Sequence, residues 1–182
     1  LFFYGAGCGT ARMKESLTLI FQDYFPNAIV TVEEDTYAAV YATTPKGEEA
    51  IVSILGTGSN CSYFDGKKLH QRGQALVYII MDDCSGNVFG KELIRKYYFN
   101  KMPKHIAEEF EKEYNVDPDF IKSKLYKEPN PNAYLATFAK FLIKRKEEEF
   151  CKKIIYKGMK SFVKNYIKQF DNYQEVPVHF VG

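Results

Sequence analysis

Apolar positions in this chain follow two periods, and each change of period marks an element. Ile51–Leu55 is a short apolar run rich in β-branched residues, as expected of a strand buried on both faces. A turn rich in glycine and hydroxyls, Gly56–Asn60, leads into a second strand, and Asp65-Gly66 is a dipeptide preferred in two-residue hairpin turns. Upstream, residues 1–4 read as a strand and Gly5–Thr10 as a turn. Met13, Leu17, Ile20, Phe21 and Tyr24 then recur at helical spacing until Pro26. Ala28–Val32 reads as a strand, and Asp35 is placed to cap a helix over Thr36–Ala42.

Thr43–Glu49, a polar stretch with Pro45 and Gly47, is the best domain boundary and divides 1–48 from 49–182. The sheet that follows is expected to run from Ala50 to about Met81. From Ser85 or Gly86 the period becomes helical, first through Phe99 and then over 103–114, 117–126, 133–144 and 147–170. Asp117 caps one of these helices, with Pro118 in its first turn. Phe150, Ile154, Ile155, Met159, Phe162, Val163, Tyr166, Ile167 and Phe170 form one stripe of the last helix and read as core. Val176–Val181 returns as a strand. This order of elements predicts an α/β fold.

Composition narrows the class. The 182 residues could bury one good core or parts of two. With 46% apolar and 26% charged residues the chain is of ordinary globular composition. A net charge of +2, with lysines spread along helices, gives no reason to expect a nucleic-acid partner. Its longest apolar run, Ala75–Met81, is far short of the ~20 residues of a membrane helix, and no membrane partner is expected. The first residues lack the features of a signal peptide. Cys8, Cys61, Cys84 and Cys151 form no CxxC pair, and His70, His105 and His179 are scattered. No metal site or disulfide framework is expected, and reduced thiols in the cytoplasm are. The chain opens on Leu1 inside a strand-like run and stops just after another strand, which reads as an interior fragment of a longer protein.

Gly56, Thr57, Gly58, Ser59 and Asn60 carry the most chemistry. Glycines free the backbone to turn tightly and let a ligand come close, and converging N–H groups and hydroxyls form an anion nest. A plain hairpin with a small-residue turn stays open as an alternative. Gly5–Thr10 does not complete a dinucleotide fingerprint, because residue 10 is threonine and no acidic partner follows a strand at the right distance. It reads instead as a turn lining a cleft. Asp35 stands where a strand hands over to a helix, and strand ends in α/β sheets face ligand crevices. A simple helix cap is the other reading of that residue.

GTGSN at 56–60, a strand and DGKK after it, and Met81-Asp82-Asp83-Cys84-Ser85-Gly86 further on resemble the N-acetylglucosamine kinase-like proteins. These are the BadF/BadG/BcrA/BcrD-type branch of the sugar kinase, Hsp70 and actin superfamily. The resemblance runs from Tyr4-Gly5-Ala6-Gly7-Cys8 to Val178-His179-Phe180-Val181-Gly182. It implies an actin-like ATPase (ribonuclease H-like) fold, with the end of domain one, most of domain two and a cleft between them. It also implies ATP-dependent phosphorylation of an amino sugar at a primary hydroxyl, with N-acetylglucosamine first. By the same resemblance Asp35 is the catalytic aspartate, Gly56–Asn60 the phosphate loop for ATP and its Mg²⁺, and Val77, Tyr78, Asp82 and Asp83 the sugar segment. The family segment resembles Gly-Tyr-x-x-Gly-Asp-Glu-Gly-Ser-Gly; this chain has Val77, Met81 and Cys84 at glycine positions and Asp83 for glutamate. A regulatory or non-catalytic ATP- or sugar-binding relative therefore stands as the alternative, and an α/β interaction domain as a blander one. Self-association into a homodimer stays open. The fragment alone is not expected to phosphorylate sugar.

Overall fold

The computed structural model describes residues 1–72, 76 and 78–182. The chain is a mixed α/β protein that divides into two compact units. The first comprises Leu1–Ile54, Cys61–Arg72 and Asn172–Val181, and the second Leu55–Asn60, Gly73–Asp171 and Gly182.

The first unit begins with β1 (Phe2–Gly5), α1 (Ala11–Tyr24), β2 (Thr31–Glu34) and α2 (Asp35–Thr43). Thr10 caps α1 by accepting a hydrogen bond from the Met13 amide. β1 and β2 pair in parallel, with Phe2 opposite Thr31 and Gly5 opposite Glu34. That register places β2 three residues later than the apolar pattern predicts, carrying Glu33 and Glu34 into the strand. Lys14 of α1 bonds the Glu33 carboxylate, which raises the Lys14 pKa, chiefly through that bond. The apolar stripe of α1 is not buried: Met13, Ile20 and Tyr24 are exposed. A two-stranded sheet offers little surface to cover it, and Phe21 reaches Phe3 at 5.0 Å between ring centroids.

A four-stranded sheet follows in the order β5-β4-β3-β6, from β3 (Glu49–Leu55), β4 (Ser59–Asp65), β5 (Leu69–His70) and β6 (Val178–Val181). β6 pairs parallel to β3, with Ile51 opposite Val178. Ile51, Val52 and Ser53 are fully buried, as a central strand requires. Ala39 and Val40 of α2 pack with Ala50, Val52 and Phe64 in the core of this unit. The β4–β5 loop is Gly66-Lys67, one residue later than expected, because Phe64 pairs with Leu69. Gly66 takes φ 85°, and a methyl group on it would lie 2.6 Å from the Gly47 carbonyl. Among the described residues the run of strands from β3 ends at His70, short of the expected Met81, and β6 returns to the sheet much later.

The second unit is helical: α3 (Gly86–Tyr98), α4 (Lys104–Glu113), α5 (Pro118–Tyr126), α6 (Pro131–Thr137), α7 (Ala139–Lys144) and α8 (Glu149–Asn165). Ser85 caps α3 and Asp117 caps α5, both as the sequence predicts. The single helix expected over 133–144 breaks at Phe138, where the chain makes tighter i→i−3 bonds to Leu135 and from Phe141. Phe138 is thereby turned against Tyr114, at 4.6 Å between centroids, and Phe110, at 5.6 Å. The long final helix stops at Asn165 and continues as a short 3₁₀ turn, Ile167–Gln169. Ile154, Phe162, Ile167 and Phe170 of its stripe are buried.

Candidate functional site

In the second unit Gly56–Asn60 is bonded onto the start of α3; the turn proper is Gly56–Gly58, and Ser59 and Asn60, expected in the turn, open β4 instead. The Gly86 amide donates to the Gly56 carbonyl (2.8 Å) and the Asn87 amide to the Thr57 carbonyl (3.1 Å). The first amides of a helix lack intrahelical partners, and here they fix the turn. Gly56 and Thr57 are exposed, while Gly58, Ser59 and Asn60 are half-buried. Neither Gly56 nor Gly58 takes a positive φ, so the expectation that they supply backbone freedom is corrected. Only at Gly58 is the need steric: a methyl group on it would lie 2.7 Å from Asp82 Oδ2, whereas one on Gly56 meets nothing within 4 Å among the described residues. The Ser59 hydroxyl oxygen is buried with no hydrogen-bond partner among the described residues.

Asp82 stands directly beside this turn. Asn87 Nδ2 donates to the Thr57 carbonyl at 2.7 Å and reaches Asp82 Oδ2 at 3.3 Å. The Asp82 amide donates to the Tyr166 hydroxyl at 2.9 Å. Asp83 faces α8 instead, accepting from Ser161 Oγ and Asn165 Nδ2, each at 2.7 Å. Tyr78 is half-buried in the turn 78–80, and Val77 lies outside the described residues.

Of the glycine replacements, Met81 carries no backbone penalty, because its φ is not positive. Cys84 does: it sits at φ 63°, next but one to Asp82 at φ 72°. Left-handed backbone costs a non-glycine residue roughly 1–2 kcal/mol, and Asp tolerates it better than Cys. Burial pushes the Cys84 thiol up to about 11, which keeps it protonated and a poor nucleophile at neutral pH.

Asp35 belongs to the first unit, where it is half-buried at the carboxyl end of β2. Parallel pairing brings that end beside Gly5 and the turn after β1. The cap of α2 is Glu34, and Asp35 is the first helical residue, so the helix-cap reading of Asp35 is corrected. Its carboxylate has no hydrogen-bond or ion-pair partner among the described residues.

Asn87, Ser161 and Asn165 escaped the sequence reading, and Tyr166 entered it only as part of the core stripe of the last helix, whereas its hydroxyl accepts from the Asp82 amide. Asn87 carried one local signal, a carboxamide in the first turn of a helix just after Ser-Gly; at 1% exposure it had to be bonded. The other three are far along the chain from their partners and gave none. Among the described residues no group of three or more His, Cys, Asp or Glu is placed to hold a metal ion, and no helix is long and apolar enough to cross a membrane.

No family model matches this sequence, and no curated protein does. Solved structures share its fold. A "putative N-acetylglucosamine kinase" from Porphyromonas gingivalis is 30% identical with a TM-score of 0.92, covering 100% of this chain and 63% of that one. Another protein of that description, from Chromobacterium violaceum, is 14% identical with a TM-score of 0.71, over 99% of this chain and 64% of that one. The second likeness is one of fold alone. The chain thus spans somewhat under two thirds of the length of both proteins.

Proposed function

We propose that the protein is a sugar kinase of actin-like fold that uses ATP and Mg²⁺ to phosphorylate a primary hydroxyl of an amino sugar, N-acetylglucosamine first, in the cytoplasm. The observation that carries this reading is the bonded junction of the Gly56–Asn60 turn, the start of α3 and Asp82. It puts a candidate phosphate cradle and a candidate sugar ligand side by side. The residues suit a phosphate: Gly56 is open to close approach, and the buried Ser59 hydroxyl has no partner among the described residues. ATP supplies the phosphoryl group. Thr57, Ser59 and Asn60 hold its phosphate oxygens, and Asp82 accepts a hydrogen bond from a sugar hydroxyl. Asp35 orients the attacking hydroxyl and takes its proton, since phosphoryl transfer is mostly positioning and charge stabilisation.

A second reading, a sugar- or ATP-binding relative without turnover, is favoured by one observation, the left-handed Cys84 where the family pattern has glycine. A phosphoryl-transfer screen of the complete protein over amino sugars and hexoses separates the two. Asp35→Asn should lower kcat on the order of 10²–10⁴-fold while ATP affinity holds. Binding of ATP and sugar with no transfer to any of them would establish the second reading. Full activity in Asp35→Asn would remove the proposed base.

A further inference from the structure

Between α3 and α8 the second unit holds a cavity of about 620 Å³, a size typical of small-molecule sites. Val88, Phe89, Phe150 and Ile154 give it apolar walls. Gly158, inside α8, makes that surface possible. A methyl group on it would lie 2.6 Å from Phe89 Cε1 and 2.9 Å from Cζ, so only glycine lets the Phe89 ring lie against α8. Glycine is unfavourable within a helix, and this packing is what it permits.

Around the apolar surface stand six cationic side chains, Lys91, Arg95, Lys96, Lys101, Lys153 and Lys157, and two carboxylates, Asp83 and Glu92. Both carboxylates are engaged. Glu92 lies 3.4 Å from Lys96, and Asp83 accepts from Ser161 and Asn165. Lys153 faces Glu149 at 3.4 Å. Lys91, Lys101 and Lys157 have no carboxylate partner among the described residues. With the whole chain at only +2, this positive charge is a local feature. A cleft lined by one sign of charge over low-dielectric walls concentrates the opposite ion. The apolar walls call for an apolar body on that ion, and lysine and arginine suit phosphate oxygens.

We propose that this groove binds an organic phosphate carrying an apolar or aromatic group. The inference does not rest on the kinase reading. Asp83 and Cys84 belong to the wall, so an occupant would rest against the turn that carries Asp82.

Calorimetric titration of phenyl phosphate into the full chain, beside inorganic phosphate and phenol, tests it. Phenyl phosphate should saturate one site, at least tenfold tighter than either component, and weaken as salt is raised. Lys91→Glu with Lys157→Glu should lower that affinity at least tenfold. Lys122→Glu with Lys127→Glu, on α5 and just beyond it, should leave it unchanged. All four lysines are exposed, so both proteins should fold, as circular dichroism would verify. In the unaltered chain, phenyl phosphate should also shield Lys91 and Lys157 from acetylation, read by mass spectrometry. The proposal is overturned if phenyl phosphate binds no tighter than inorganic phosphate, if the Lys91/Lys157 reversal leaves its affinity intact, or if neither lysine is shielded.

Discussion

Gly56 and Gly58 flank Thr57 in one turn, yet a methyl group added to each meets different surroundings. At Gly58 it would lie 2.7 Å from Asp82 Oδ2, so the carboxylate must move and its contact with Asn87 is lost. A hydrogen bond to a charged group is worth about 1.5–3 kcal/mol. On the kinase reading, Gly58→Ala should therefore weaken sugar binding by roughly ten- to a hundredfold, since 1.4 kcal/mol is a factor of ten. At Gly56 nothing lies within 4 Å, and Gly56→Ala should change stability by no more than about 0.5 kcal/mol. If a phosphate occupies that open space, the same change weakens ATP binding without touching the fold. Urea unfolding beside ATP and sugar titrations reads all three effects; equal behaviour of the two variants would separate Asp82 from the turn. The hydroxyl-rich turn and the acidic pair were legible in the sequence because their chemistry is local. The bond that anchors Asp82 was not: its amide donates to the Tyr166 hydroxyl across a separation of 84 residues. No local pattern encodes such a pairing.

Helices were legible where capping and period agreed, as at α3 and α5, and misread where a tertiary contact decided. Phe138 fits the helical period from 133 to 144, but packing against Tyr114 and Phe110 breaks the helix there. β2 was misplaced because Glu33 and Glu34 do not read as strand residues until their parallel pairing with β1 is known. Gly90 of α3 shows how close two helices come: a methyl group there would sit 1.8 Å from the Leu135 carbonyl oxygen of α6. Because that neighbour is backbone, Gly90→Ala should destabilise the helical unit by at least the ~1–3 kcal/mol of ordinary overpacking, seen as an earlier urea midpoint. An unchanged midpoint would mean that α3 and α6 cross less closely. The β4–β5 hairpin makes a prediction about pH. Asp65 accepts from the Lys68 and Lys67 amides at 2.7 and 2.8 Å, and its other oxygen lies 2.6 Å from His70 Nε2. These bonds, that of Lys68 foremost, hold its pKa down to about 2. A depressed carboxylate stabilises the fold above its unfolded pKa of about 3.9 and loses that contribution as pH falls through its folded pKa. The stability gap between the parent and Asp65→Asn should thus be full at neutral pH and close between about pH 4 and pH 2. A gap that persists below pH 2 would assign it to geometry rather than charge.

Each unit of the molecule has its own apolar core, one built on α2 and the β3–β4 strands, the other on aromatic contacts of Phe110 in α4 with Phe138 at the helix break and Phe141 in α7. The chain passes between units at the Gly56–Asn60 turn, which belongs to the second although the strands on both sides belong largely to the first. Any ligand that binds only the folded state stabilises it by about 2.7 kcal/mol when present at 100 times its Kd. For a chain of this size 1 kcal/mol moves Tm by roughly 2–4 °C. Mg²⁺–ATP at that concentration should accordingly raise Tm of the chain by about 5–11 °C. Thr57→Ala removes a hydroxyl that the kinase reading places on a phosphate oxygen, a contact worth roughly 1.5–3 kcal/mol. At the same ATP concentration that variant should rise by only about 1–5 °C. Asp35→Asn should keep the full rise, because the kinase reading places Asp35 on the sugar hydroxyl and not on the nucleotide. Differential scanning fluorimetry of the three proteins, with and without Mg²⁺–ATP, distinguishes the outcomes. A parent with no rise at millimolar ATP would remove the nucleotide from the proposal. A full rise in Thr57→Ala would leave ATP bound but place it away from the Gly56–Asn60 turn.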